Sequence, residues 1–389
     1  MIAQHGVWAD VVGQEPTVAV LRQAVDGARR ALAGEPSAAG MTHAWLFTGP
    51  PGSGRSNSAR AFAAALVCPT GGCGECVECR TALAGSHPDV TLVRTAALSI
   101  KVDEVRELVR KAALSPAGSR WQVIVIEDAD RLTEQAADAL LKSLEEPAER
   151  TVWLLCAPTV EDVVATIRSR SRLLVLRTPP AEAVAAVLVQ RDGVPEPLAS
   201  FAARASQGHI GRARALATDE ATRNRRHEVL ALPSRLRDLG ACMNAADNLV
   251  KAAAEEAAPL TEQRDARDRS ALEQALGMGT RGVKPRGAQA AVKELTDAHK
   301  TRAKRLQRDV LDRALTDLMS FYRDVLLLQI GAASALVNEE LRADVVAMAR
   351  SGTAEATLAR IEEVLACREA LEANVPPLLA VEAMMIGLR

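Results

Sequence analysis

Aromatic residues are scarce: the 389-residue chain holds four Trp, four Phe and one Tyr. That supply is too thin for a stacking platform of the kind that grips single-stranded nucleic acid. An excess of either charge is also missing. With 48 Lys and Arg against 49 Asp and Glu, the net charge is −1, so no global field draws the chain onto nucleic acid or anionic lipid. Any such contact must come from a local patch. No run of about 18 consecutive apolar residues occurs. Met1 to Asp10 lacks a basic segment leading into an apolar one, and a cytoplasmic chain without a membrane partner is expected.

What is present is an ordinary globular balance, 48% apolar and 25% charged, and at roughly 150 residues per domain the length predicts two or three domains. Between Trp45 and Leu176, short apolar runs (Ala44 to Thr48, Val123 to Ile126, Val152 to Cys156) alternate with helical periodicity. This is the pattern of a parallel α/β sheet, whose ligand crevice lies at the carboxyl ends of the strands. Thr178-Pro179-Pro180 breaks the pattern, and short helices are expected from there to about Asp219, with a break at Gly208 to Gly211. Beyond Arg225 the chain reads as helical to its end. Leu311, Leu315, Leu318, Tyr322 and Val325 step by four and three, as one buried helix face requires. Gly277 to Gly287 reads as a loop within that bundle.

Five segments bear chemistry. Gly49-Pro50-Pro51-Gly52-Ser53-Gly54-Arg55-Ser56 follows an apolar strand and precedes a helix, the setting of a phosphate-binding loop. Its glycines turn backbone N–H groups toward phosphate, and Ser56 stands where a hydroxyl would meet Mg2+. Arg55 stands where such loops carry Lys, so the geometry survives better than the chemistry. ATP or ADP binding is doubtful, and a ligand-free glycine turn is the alternative. Val123 to Asp130 is an apolar strand ending in Glu127-Asp128, the reverse of the Asp-Glu order that sets one carboxylate by the metal and the next by the attacking water. The bland reading, a helix cap, applies to Asp130 with Thr133.

Cys68, Cys73, Cys76 and Cys79 are spaced by four, two and two residues amid glycines. In a reducing compartment this spacing suggests structural Zn2+ in a closed four-thiolate knuckle, an iron–sulfur cluster or free thiols being the alternatives. Thr166 to Arg172 carries three arginines. Read on composition they are surface residues paired with local acids; the other reading makes one of them an arginine finger for a nucleotide held by a neighbouring subunit. Arg281 to Arg308 carries nine basic residues against Glu294 and Asp297, either a solvated helix face or a contact for a DNA backbone.

Taken in order, these motifs resemble the clamp-loader clade of the AAA+ family, the subunits that load the sliding clamp for bacterial DNA polymerase III. The resemblance is carried by Val12-Gly13-Gln14-Glu15, the Gly49 to Ser56 loop, the four-Cys knuckle, Gly85-Ser86-His87-Pro88-Asp89, Ala139 to Pro147 (ALLKSLEEP) and Ser169-Arg170-Ser171, spanning residues 12–172. It implies an α/β AAA+ P-loop domain with a zinc knuckle (1–177), a small helical lid (178–225) and an all-α oligomerisation collar (226–389).

Within that family the ATP-hydrolysing gamma/tau type keeps the loop Lys, the Asp-Glu pair and a sensor arginine. Here stand Arg55, Glu127-Asp128 and, in Gly208-His209-Ile210-Gly211, a glycine. The resemblance therefore implies a non-hydrolysing stator-type subunit of the polymerase III holoenzyme, with Arg170 acting in trans. Ser171 departs from the family's Ser-Arg-Cys. Implied partners are gamma/tau and delta subunits, the sliding clamp weakly or indirectly, and primed DNA through the complex. An active gamma/tau-type ATPase and a DNA-binding adaptor are the competing readings.

Overall fold

The computed structural model describes residues 6–35, 40–95, 99–118, 120–275 and 288–389. The expected loop at 277–287, and with it Arg281, Lys284 and Arg286, lies outside the described residues. The chain divides into two compact units, 1–218 and 219–389. No described helix is long and apolar enough to cross a membrane.

The first unit runs α1 (Glu15–Leu32), β1 (Ala44–Thr48), α2 (Arg55–Val67), α3 (Val77–Ala84), β2 (Val90–Val93), α4 (Val102–Ala112), β3 (Gln122–Ile126), α5 (Glu134–Glu145), β4 (Thr151–Ala157), α6 (Ala165–Arg168) and β5 (Arg172–Val175). Three helices follow: α7 (Ala181–Gln190), α8 (Glu196–Ala205) and α9 (Ile210–Thr218). The five strands form one parallel sheet in the order β2-β3-β4-β1-β5. The three expected apolar runs are its central strands β1, β3 and β4, buried at every position. Two four-residue edge strands, β2 and β5, complete it.

Strand alternation distributes the sheet's side chains between two cores. Trp45, Phe47, Val123, Val125, Val152 and Leu154 pack with α1 and α2, whereas Ala44, Leu46, Ile124, Ile126, Trp153 and Leu155 pack with α4 and α5. Because both faces are covered, the strands read as continuous apolar runs. Each fully buried Leu, Ile or Val there contributes about 1.5–3 kcal/mol. The scarce aromatics are concentrated here, with Trp45 meeting Phe62 edge-on at 5.1 Å. Helices α7 to α9 have their own small core around Val184, Leu188, Ala202 and Leu216.

The second unit is helical throughout its described residues: α10 (Glu220–Leu230), α11 (Leu239–Ala275), α12 (Ala288–Gln329), α13 (Arg342–Ser351), α14 (Ala354–Glu372) and α15 (Pro377–Gly387). Leu311, Leu315, Leu318, Tyr322 and Val325 form the buried stripe of α12, as their spacing requires. Arg226 is buried as well, donating to Asp317 (3.1 Å), Glu340 (2.7 Å) and Asn338. Asn338 in turn donates through its backbone N–H and its amide to Asp324, at 2.7 and 2.9 Å.

Candidate functional site

The strand order reverses at β1, whose neighbours are β4 and β5, and in open α/β sheets the ligand crevice forms at such a reversal. The Gly49 to Ser56 loop leaves β1 there and opens α2. Gly52 has φ +86°, and a Cβ on it would lie 3.0 Å from backbone and side-chain atoms of His209, so the residue before α9 rests on the loop. Gln14 steadies this corner, its amide donating to the Ser53 and Arg177 carbonyls at 3.1 and 2.5 Å. The Thr48, Ser53 and Ser58 hydroxyls are buried there without a hydrogen-bond partner. Arg55 turns back and donates to the Gly49 carbonyl. Burial lowers its pKa, opposed by the nearby Cys156, Asp130 and Asp128.

Glu127, at the end of β3, is buried. Its Oε1 accepts from Arg60 Nε of α2 at 2.6 Å and lies 2.5 Å from Arg60 Nη2; its Oε2 accepts from Arg94 Nε, just past β2, at 2.5 Å. A phosphate-binding loop implies Mg2+ at this end of the sheet, but both Glu127 oxygens are engaged by guanidiniums, whose positive charge opposes a divalent cation bound directly to the same carboxylate at about 2.0–2.1 Å. The donor set does not fit the ion. Asp128 is partly buried, and Asp130 lies in a 3-10 turn where burial raises its pKa. Thr133 rather than Asp130 caps α5, accepting from the Ala136 N–H.

Arg170 follows α6. Its side chain keeps 35% of its surface, and the guanidinium donates to the Thr166 carbonyl (2.9 Å) and Ser169 Oγ (3.1 Å) and pairs with Glu145 at 2.6 Å. Glu145 belongs to the ALLKSLEEP string, so that motif has a physical reading. Leu140 and Leu144 anchor α5 in the core, Ser143 Oγ accepts the Trp153 indole N–H at 3.2 Å, and Glu145 reaches the arginine.

Cys68, Cys73, Cys76 and Cys79 bring their sulfurs within 4.8 Å of one another. Cys68 Sγ lies 3.8 Å from both Cys73 Sγ and Cys76 Sγ. Tetrahedral zinc with Zn–S of ~2.3 Å demands an S–S edge of ~3.8 Å, so this donor set fits the ion. The Cys76 and Cys79 backbone N–H groups donate to the Cys73 and Cys76 sulfurs, each at 3.4 Å. At Cys68 burial acts to raise the pKa, but donors from Thr70 and the backbone N–H groups of Cys73 and Gly72 outweigh it and bring the thiol down to about 5. Burial pushes Cys79 up. The Gly85 to Asp89 string supports the next turn: the Asp89 N–H donates to His87 Nδ1 (3.0 Å), which leaves the other nitrogen, Nε2, to face Glu78 at 2.6 Å. The Asp89 carboxylate accepts from the N–H groups of Ala117 and Gly118.

A second acidic cluster, Asp265, Asp268 and His299, joins α11 to α12, and Arg302 occupies it, pairing with both carboxylates at 2.5 and 2.9 Å. Of the basic segment's described residues, Lys293, Lys300 and Lys304 are exposed.

Residues 27–180 match the family described as "DNA polymerase III, delta subunit", and residues 295–388 match "DNA polymerase III, delta subunit, C terminal". The delta-prime subunit of Pseudomonas aeruginosa is 40% identical over 134 residues, covering 33% of this chain and 41% of that one. The Bacillus subtilis delta-prime subunit is 32% identical over 158 residues (40% and 48%). These matches support a DNA polymerase III clamp-loader subunit of the delta-prime type. Gamma/tau clamp-loader subunits are related too: that of Mycobacterium tuberculosis is 34% identical over 195 residues, 48% of this chain and 32% of that one. The chain thus matches less than half the length of each of these curated relatives. A gamma subunit-related protein of Thermotoga maritima overlays with TM-score 0.39 at 15% identity, covering 94% and 98% of the two chains.

Sequence reasoning missed Arg60, Arg94 and the Glu145 partner of Arg170. The ALLKSLEEP string was itself a signal for the last. Nothing in the spacing pointed to the two arginines on Glu127.

Proposed function

We propose that this chain is the delta-prime-type stator of a DNA polymerase III clamp loader. It turns over no ATP itself and supplies Arg170 in trans to an ATP held by a neighbouring gamma/tau-type subunit. The observation that carries the reading is a contrast within one domain. Arg170 stands partly exposed on a pre-oriented platform, whereas Arg55 and Glu127, the charged groups its own loop would turn on a nucleotide, are spent on internal partners. A guanidinium already oriented at a surface has less freedom to lose when a γ-phosphate arrives, which favours stabilising transition-state charge.

In this reading the four-Cys knuckle holds Zn2+ as a structural clip between α2 and α3. Residues 178–225 act as the lid and 226–389 as the oligomerisation collar through which delta and gamma/tau subunits assemble around primed DNA. The sliding clamp is engaged through the complex.

The test is ATP turnover in the assembled complex. With the neighbours' phosphate loops intact, Glu127→Ala and Asp128→Ala here leave turnover unchanged. With those loops inactivated, residual turnover that Glu127→Ala abolishes would identify this chain as an active gamma/tau-type motor and sink the stator reading.

A further inference from the structure

Glu127 has not been lost from the end of β3; it has been taken. Only 5% of its side chain meets solvent, and both oxygens are engaged, Oε1 by Arg60 from α2 and Oε2 by Arg94 from the residue after β2. We propose that Arg60 and Arg94 stand in for the divalent cation at this end of the sheet, so that the protein's own charge closes the cleft to Mg2+. This deepens the stator reading and draws its functional meaning from it, though the geometry is independent.

The electrostatics favour the lock over the ion. One carboxylate between two guanidiniums leaves the triad itself at +1, which opposes a divalent cation on Glu127. An arriving Mg2+ would have to strip a guanidinium from a carboxylate already out of water, and a buried charge that loses its partner is strongly destabilised.

The lock also has a mechanical role. It ties α2, the end of β2 and the end of β3 together through one group. Arg55, bonded to Gly49, closes the loop of β1 in the same way. In a subunit that binds Mg-nucleotide, the ligand makes such ties only when present. Here they are permanent, and the carboxyl ends of β2 and β3 stay tied to α2 without a ligand.

The experiment uses the full zinc-loaded chain and Mn2+ alone as the probe, read by the EPR amplitude of the free ion. Glu127-dependent binding is the portion that E127Q removes, which subtracts any ion taken up by Asp265 and Asp268. Wild type and E127Q are expected to bind Mn2+ alike. The R60Q/R94Q variant gains Mn2+ binding and loses it again when E127Q is added. Glu127-dependent Mn2+ binding in wild type, or no gain in the folded double variant, overturns the proposal. If the double variant does not fold, R94Q replaces it, since that side chain is 67% exposed, and the same gain or its absence decides. The two readings fail separately. Mn2+ in the wild-type cleft with complex turnover indifferent to Glu127 removes the lock alone, whereas turnover dependent on Glu127 removes the stator.

Discussion

The Arg170 guanidinium lies 2.6 Å from the Glu145 carboxylate, joining the end of α5 to the turn after α6. With both side chains partly exposed, the pair contributes little to stability, about 0–1 kcal/mol. Its effect is orientational. Glu145, the Thr166 carbonyl and Ser169 Oγ together aim a side chain that would otherwise sample many rotamers.

Arg170→Ala should therefore abolish most ATP turnover by the assembled complex while shifting the unfolding midpoint of the isolated chain very little. Glu145→Ala should lower turnover less, because the finger remains but is no longer aimed. Turnover unaffected by Arg170→Ala would remove the finger assignment.

For the knuckle, metal analysis should return about one zinc per chain, bound by four thiolates. A strong chelator should release it, with loss of protection from amide exchange in 68–85 while the sheet stays protected. Cys73→Ser, at the most exposed ligand, should weaken retention without preventing folding of the sheet. Zinc-free protein with unchanged exchange in 68–85 would refute a structural clip.

Arg226 offers a test in the second unit. It is buried against Asp317, Asn338 and Glu340, so Arg226→Ala leaves unpaired buried charge and should cost about 3–5 kcal/mol in urea unfolding of residues 219–389. The double change Arg226→Met with Asp317→Leu should recover part of that, since it also removes the buried Asp317 carboxylate, while Glu340 keeps some access to water.

Gly52→Ala places a Cβ 3.0 Å from His209 on a backbone at φ +86°. The strain of a non-glycine residue there is about 1–2 kcal/mol before any clash, and the melting point should fall accordingly. An unchanged melting point would mean that the loop re-forms without this conformation.

How far the sequence spoke for itself differs by element. The strands β1, β3 and β4 were legible because a sheet covered on both faces makes each an unbroken apolar run. The clustering of the four thiols was legible because close Cys spacing brings them together locally. The edges β2 and β5 were not. Each has four residues, and β5 alternates a buried Leu174 with exposed Leu173 and Val175, too short a pattern to separate from loop. Glu127 was legible as a reversed acid, but its partners were not, since Arg60 and Arg94 lie 67 and 33 positions away and only the packed sheet brings them in. Arg226 was hidden for the same reason, its acceptors Asp317 and Asn338 lying 91 and 112 positions along the chain.

The pairing of β5 with β1 gives this domain a polarity. Arg172 lies opposite Trp45 and Val175 opposite Thr48, so Arg170 enters at the amino end of one strand while the glycine loop leaves from the carboxyl end of its neighbour, about 10 Å farther along. A domain with a donor at one end and an acceptor at the other stacks head to tail, and a row of such copies has no reason to stop. On the proposed reading, a molecule whose loop end holds no nucleotide would offer its arginine to one neighbour and take none in return, and would give a row that contained it a defined first or last member.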